Sequence, residues 1–212
     1  LVRIAVIDYD VGNVRSILSA FDNQGVHALL TNDKKKILES DGVILPGVGA
    51  FKHGMDNLNK YGLVGTIKEY IETGKPFMGI CLGMQMLFEE SEGFGNTMGL
   101  GLISGKVIKL PTKDIDNEKL PHVSWNELNG DESLWLGTIL EGINNGSDMY
   151  FVHSFVVQPD NESDVLSTTE YSGSNFCSSV KKGRVYGCQF HPEKSGKDGL
   201  NIIKNFINIC GQ

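Results

Sequence analysis

Residues 3–89 alternate two kinds of hydrophobic period, and this constrains the fold more than any other feature of the chain. Short apolar runs at 3–7, 28–31, 42–45 and 77–80 read as strands, and the spacing predicts helices over 14–21, 37–40, 63–72 and 82–89. The first helix is opened by Gly12-Asn13, the third is ended by Gly74, and the lysine run 34–36 reads as a solvated helix start. Apolar strands separated by helices belong to a mostly parallel sheet covered on both faces. The second half differs. Strand-like runs at 107–110, 149–157, 165–169, 176–181 and 185–190 are joined by shorter loops, which predicts antiparallel pairing, and 201–209 gives a last helix. Residues 96–101 and 112–119 read as surface loops. With no repeat, low-complexity tract or linker, the expectation is one α/β domain over 1–212: a central mixed, mostly parallel sheet flanked by helices, with antiparallel strands in the second half.

Composition narrows the function classes. A net charge of −7 argues against a basic nucleic-acid face. No apolar run approaches the roughly 20 residues of a membrane-spanning helix, and Leu1–Asp8 reads as a first strand rather than a signal peptide. Cys81, Cys177, Cys188 and Cys210 are scattered, as reduced thiols in a cytoplasmic protein would be, and their spacing suits no zinc site. No metal or cofactor is expected.

One cysteine stands apart. Gly79-Ile80-Cys81-Leu82-Gly83 is a G-x-C-x-G sequence between a predicted strand and a predicted helix, the arrangement of a nucleophile elbow with sulfur in place of oxygen. Flanking glycines remove side chains that would strike the adjoining strand and helix. The turn would hold the thiol at the carboxyl end of the sheet, where ligands of open α/β folds bind. A helix N-terminus there would favour the thiolate, and the Leu82 N–H would point at a developing oxyanion. The alternative is a small buried residue in a tight turn.

A thiolate nucleophile needs a base, and the base needs an orienting group. Of five histidines, His191 directly follows the last predicted strand, and Glu193 stands two residues on across Pro192. Proline fixes the direction in which the chain leaves the strand, so the carboxylate can reach the imidazole. Cys81, His191 and Glu193 are therefore the candidate triad. Gly47-Val48-Gly49 after the third strand lets backbone N–H groups approach a ligand, a second source of oxyanion donors. His153 reads equally well as a support of the site or as a structural histidine.

These motifs, taken in order, resemble the triad (class I) glutamine amidotransferases. DYDVGN (8–13), LPGVGAF (45–51), GICLGMQ (79–85), PHVSWN (121–126), YFVHSF (150–155) and QFHPEKS (189–195) span nearly the whole chain. Within that family the likeness is to glutaminase subunits that feed ammonia to a (β/α)8-barrel cyclase making imidazole glycerol phosphate in histidine biosynthesis. The resemblance implies a flavodoxin-like fold and hydrolysis of glutamine to glutamate and ammonia. It implies that Cys81 attacks the side-chain amide, that His191 and Glu193 complete the triad, and that Leu82, Val48 and Gly49 supply oxyanion donors. It further implies that Gly49, Gln85, Ser154 and Phe155 contact glutamine, and that Asn13, Trp125, Tyr150 and Lys194 face the cyclase in a heterodimer.

Asp10 and Ser124 stand where the family generally has glycine, both in partner-facing segments, and Ser91-Glu92-Gly93 replaces a more acidic run. A paralogous glutaminase that supplies a sugar amidotransferase in surface-polysaccharide synthesis is the alternative partner reading. A non-catalytic scaffold and a Cys-dependent protease of the same sheet type fit the motifs less well.

Overall fold

The computed structural model describes residues 1–12, 14–93, 95–112 and 120–212. Its first half follows the expected alternation with one further helix, α3: β1 (Ile4–Ile7), α1 (Val14–Asp22), β2 (Leu29–Thr31), α2 (Lys34–Glu39), β3 (Gly42–Leu45), α3 (Phe51–Lys60), α4 (Leu63–Glu72) and β4 (Phe77–Ile80). Then come α5 (Leu82–Gln85), β5 (Phe88–Ser91), β6 (Thr97–Met98), β7 (Ile103–Lys109), β8 (His122–Glu127), β9 (Asp148–His153), β10 (Phe155–Pro159), β11 (Val165–Tyr171), β12 (Ser174–Lys182), β13 (Val185–Cys188) and α6 (Gly196–Cys210).

Among the described residues the main sheet has eleven strands, ordered β2-β1-β3-β4-β13-β12-β10-β7-β5-β6, with β11 on β12. The run from β2 to β13 is parallel, and β12, β10, β11 and β6 pair antiparallel to their neighbours. β8 and β9 form a separate antiparallel ribbon. The α/β class and the antiparallel second half are as the sequence predicts.

Alternation along the parallel strands makes two cores. Ile4 and Val6 face one way with Ile44, Met78 and Ile80, under Phe21 of α1 and Ile202 and Phe206 of α6. Ala5 and Ile7 face the other way with Val43, Leu45 and Phe77, under Leu58 of α3 and Ile67 and Tyr70 of α4. Each such fully buried aliphatic or aromatic side chain contributes about 1.5–3 kcal/mol.

Three expectations need correction. The helix predicted over 82–89 stops at Gln85, and Phe88–Ser91 is a strand. Met84, Met86, Leu87 and Phe88 are all buried, so that run has no polar face to distinguish helix from strand. The single strand predicted over 149–157 is broken at Ser154 into β9 and β10, which lie in different sheets. Residues 96–101 are not wholly loop, because β6 pairs with β5 there. Most of the loop predicted at 112–119, and Asn13, lie outside the described residues.

Candidate active site

The register of β13 on β4 positions the site. Cys188 pairs with Ile80, so the segments that leave the two strands start side by side, and the Cys81 N–H donates to the Cys188 carbonyl at 2.7 Å. Cys81 itself sits at φ 54°, ψ −111°. A non-glycine residue in such a conformation costs about 1–3 kcal/mol and persists only where its surroundings impose it. Here they do. A Cβ on Gly83 would lie 1.9 Å from the Leu45 carbonyl oxygen, and one on Gly79 would lie 2.5 Å from that of Gly83. Both glycines of G-x-C-x-G are thus required by backbone packed against them. Because α5 is a single turn, the dipole of a longer helix, expected to favour the thiolate, is not there.

His191 follows β13 and is 3% exposed. Its Nδ1 hydrogen-bonds Glu193 Oε1 at 2.8 Å, and Glu193 lies in the 3-10 turn Pro192–Lys194 that proline begins. A carboxylate only accepts, so Nδ1 carries the proton and Nε2 is the basic nitrogen. Nε2 is buried without a hydrogen-bond partner of ordinary geometry. Burial pushes the ring's pKa down, but Cys81 and Glu193 outweigh it and raise the pKa to about 10. The sequence-predicted sulfur, imidazole and carboxylate therefore converge at the carboxyl ends of the adjacent strands β4 and β13.

A cleft of about 640 Å³ opens over Cys81 and is lined by Gly49, Phe51, Leu82, Gln85, His153, Ser154 and Phe155 among others. Gln85 Nε2 donates to the Phe155 carbonyl at 3.1 Å, and Ser154 accepts from the Leu110 N–H at 2.9 Å. The Leu82 N–H is donated to the Gly47 carbonyl at 3.1 Å, so as it stands this amide is engaged by the glycine loop. Gly47 is wedged: a Cβ there would lie 2.5 Å from Tyr9 Oη, which in turn donates to the Pro46 carbonyl. Gly49 beyond it has φ 102° with open space beside it, and Val48 is exposed.

Of the expected interface residues, Trp125, Tyr150 and Lys194 do not line the cleft. Trp125 is half exposed on β8 and pairs across the ribbon with Tyr150 of β9, their rings 5.9 Å apart. The Tyr150 carbonyl accepts the His191 N–H at 3.0 Å. Lys194 is exposed beside Glu193.

Sequence reasoning missed two features. Gln189 is fully buried and directs Nε2 at Cys81 Sγ, 3.7 Å away. Strand alternation was the available signal, since residues two apart share a face. The second is a buried pair, His122 Nδ1 to His153 Nε2 at 3.0 Å. The Phe155 carbonyl requires a donor at His153 Nδ1, 2.9 Å away, so the His153 Nε2 is the acceptor in the neutral ring. Burial holds His153 down at about 3 and lowers His122 also. At neutral pH His153 is an uncharged wall of the cleft.

The family described as "Glutamine amidotransferase class-I" matches residues 5–210. The chain belongs to the class-I glutamine amidotransferases. As a member, it is an amide-hydrolysing enzyme of the glutaminase type. Among curated relatives of this amidotransferase, "Imidazole glycerol phosphate synthase subunit HisH 1" of Legionella pneumophila strain Lens is 43% identical over 97% of this chain and 99% of its own. Proteins named subunit HisH from Aquifex aeolicus and Bacillus cereus are 46% and 47% identical, over 96% and 97% of this chain and 95% and 94% of theirs. A solved structure described as a glutamine amidotransferase has a TM-score of 0.75 at 19% identity, covering 99% of both chains. PurLQS from Thermotoga maritima has a TM-score of 0.71 at 20% identity, covering 98% of both. At such identity these two structures speak for the fold.

Proposed function

We propose that this chain is the glutaminase subunit of an imidazole glycerol phosphate synthase, working in the cytoplasm as a heterodimer with a (β/α)8-barrel cyclase. The observation that carries the reading is likeness over whole chains: relatives bearing that subunit name align with 97% of this one. The joined Cys81, His191 and Glu193 support the chemistry.

The Cys81 thiolate adds to the side-chain amide carbon of glutamine, and the carbonyl electron pair moves to oxygen. Amides of the Val48-Gly49 segment, and that of Leu82 once released from Gly47, hold the oxyanion. The His191 imidazolium gives its Nε2 proton to the amide nitrogen, the C–N bond breaks, and ammonia leaves a γ-glutamyl thioester. His191 then takes a proton from water as the oxygen attacks the thioester. The C–S bond breaks, glutamate departs and the thiolate returns. Glu193 keeps the ring in the required tautomer. Gly49, Gln85, Ser154 and Phe155 receive glutamine. Trp125, Tyr150 and Lys194, with Asn13, face the cyclase, Trp125 being the kind of aromatic anchor enriched at interface centres.

The test mixes this chain with a histidine-pathway cyclase, its phosphoribulosyl aminoimidazole-carboxamide nucleotide and glutamine. Imidazole glycerol phosphate is expected. Cys81→Ala should abolish synthesis from glutamine and leave synthesis from ammonium salts intact. Failure to form imidazole glycerol phosphate from glutamine, or ammonia that reaches only a sugar-modifying barrel enzyme, overturns the assignment. Because the Leu82 amide is engaged by Gly47, the isolated chain should hydrolyse glutamine slowly. One oxyanion donor is worth about 10²–10³ in rate, so the cyclase should accelerate hydrolysis by that order. Equal rates with and without the partner would refute this gating.

A further inference from the structure

Gln189 contacts the reacting sulfur, and nothing in the triad chemistry above uses it. It is fully buried in the turn after β13, with its backbone N–H donated to the Ser178 carbonyl at 2.9 Å. Its side-chain amide is held at both ends. Nε2 lies 3.7 Å from Cys81 Sγ, and Oε1 accepts from Gln85 Nε2 at 3.1 Å.

Hydrogen-bond inventory fixes which way both amides point. The Phe155 carbonyl can only accept, so the group of Gln85 beside it, 3.1 Å away, is the NH₂. That NH₂ sends its other hydrogen to Gln189, which must present oxygen there. The Gln189 NH₂ is left facing the sulfur. Flipping Gln85 would set its oxygen against the Phe155 carbonyl, acceptor against acceptor, and flipping Gln189 would set its NH₂ against that of Gln85, donor against donor, each a cost to buried groups. The chain Phe155–Gln85–Gln189–Cys81 is thus directional, and it ends in an N–H aimed at Sγ.

The two groups on the sulfur oppose each other. The Val152 carbonyl, 3.8 Å away, accepts from the thiol S–H and repels a thiolate. The Gln189 N–H is a good partner for the thiolate and a weak one for the thiol. We propose that Gln189 is a catalytic residue that stabilises the Cys81 thiolate through an N–H···S bond, and that Gln85 is its positioning residue as well as a glutamine contact. This rests on the reading of Cys81 as nucleophile. It gives the site a second support for the thiolate beside His191, one that carries no charge. Titratable groups around the sulfur are His191 and Glu193 after β13, Tyr9 just after β1 and His153 on β9, and Lys52, His53 and Asp56 of α3 line the same cleft.

The test reads Cys81 directly, by the pH dependence of its alkylation with iodoacetamide. Cys81→Ala serves as blank for the three other thiols, and no glutamine is present. Gln189→Leu should move the half-maximal pH of alkylation up by about one unit and slow the reaction by up to about tenfold on the acid limb of the profile, within the range expected for a hydrogen bond to a charged group. Gln189→Glu should shift it further, since a carboxylate would face the thiolate. Gln85→Met leaves Gln189 in place but unanchored, and should shift the profile in the same direction by less. In the cyclase complex Gln189→Leu should lower kcat with little change in KM, whereas Gln85→Met should also raise KM. An unchanged alkylation profile in Gln189→Leu, with parental circular dichroism, overturns the proposal. Should that variant not fold, an unchanged profile in Gln85→Met does so. Absence of glutaminase in the parent complex, with the alkylation shift intact, would instead overturn the functional reading and leave the N–H···S bond standing.

Discussion

His191 with Glu193 and His122 with His153 are both buried pairs, joined by single hydrogen bonds of 2.8 and 3.0 Å. Their rings are driven in opposite directions. Cys81 and Glu193 overcome desolvation and raise His191, whereas desolvation dominates at His153 and a second imidazole adds to it. Burial alone therefore does not decide the charge of a histidine; the sign of its neighbours does. One pair can move a proton at neutral pH, and the other forms an uncharged wall of the same cleft. Predictions that separate the two begin with the acidic partner.

Glu193→Gln keeps shape and removes charge. It should cut glutamine-dependent kcat by roughly 10³–10⁴, as loss of the orienting carboxylate does in comparable triads. A loss below tenfold in the cyclase complex would mean that the carboxylate does not set the tautomer. Cys81→Ala should lower the pKa of His191 by about one unit or more, followed by NMR of the ring protons. An unmoved titration would mean that sulfur and ring do not interact.

The second pair predicts a pH effect of opposite sense. His153 is depressed in the folded chain, so its contribution to stability is present above the ordinary histidine value of about 6.5 and is lost as pH falls toward about 3. Between those limits the unfolded chain binds the extra proton. His153→Gln should flatten the acid slope of stability by up to about 1.4 kcal/mol per pH unit, measured by urea denaturation from pH 7 to 4. Parallel slopes would contradict a neutral buried ring. The smallest effect belongs to His122→Gln, which should leave kcat in the complex unchanged and lower Tm by about 2–4 °C, because glutamine replaces only some of the ring's bonds to His153, Ser124 and Asn126. A large fall in kcat would move His122 from the wall into the chemistry.

The parallel half of the fold was legible because its strands are short, apolar and bounded by turn residues. Gly42–Leu45, Leu63–Glu72 and Phe77–Ile80 were read to the residue. α3 (Phe51–Lys60) went unread although Phe51, Met55 and Leu58 lie on one stripe. Gly54, Asn57 and Asn59 lower its helix propensity, and at Gly54 a Cβ would crowd the buried Met86 Sδ at 2.8 Å and Leu82 Cδ2 at 3.1 Å, so packing favours glycine there. Tertiary packing chose that residue, and a local reading could not see why. The ribbon β8–β9 escaped for a related reason: its pairing of His122 with His153 joins segments 31 residues apart. In the site, the elbow and the His-Pro-Glu turn are local patterns and were found. Gln189 was passed over because its role depends on Gln85 and Phe155, which are distant in the chain and meet it only in the fold.

The peptide joining Tyr150 to the strand ladder serves two masters. Outward, its ring stands with Trp125 on the half-exposed ribbon; inward, its carbonyl receives the amide of His191. Whatever docks on that aromatic surface stands one peptide unit and one hydrogen bond away from the buried imidazole.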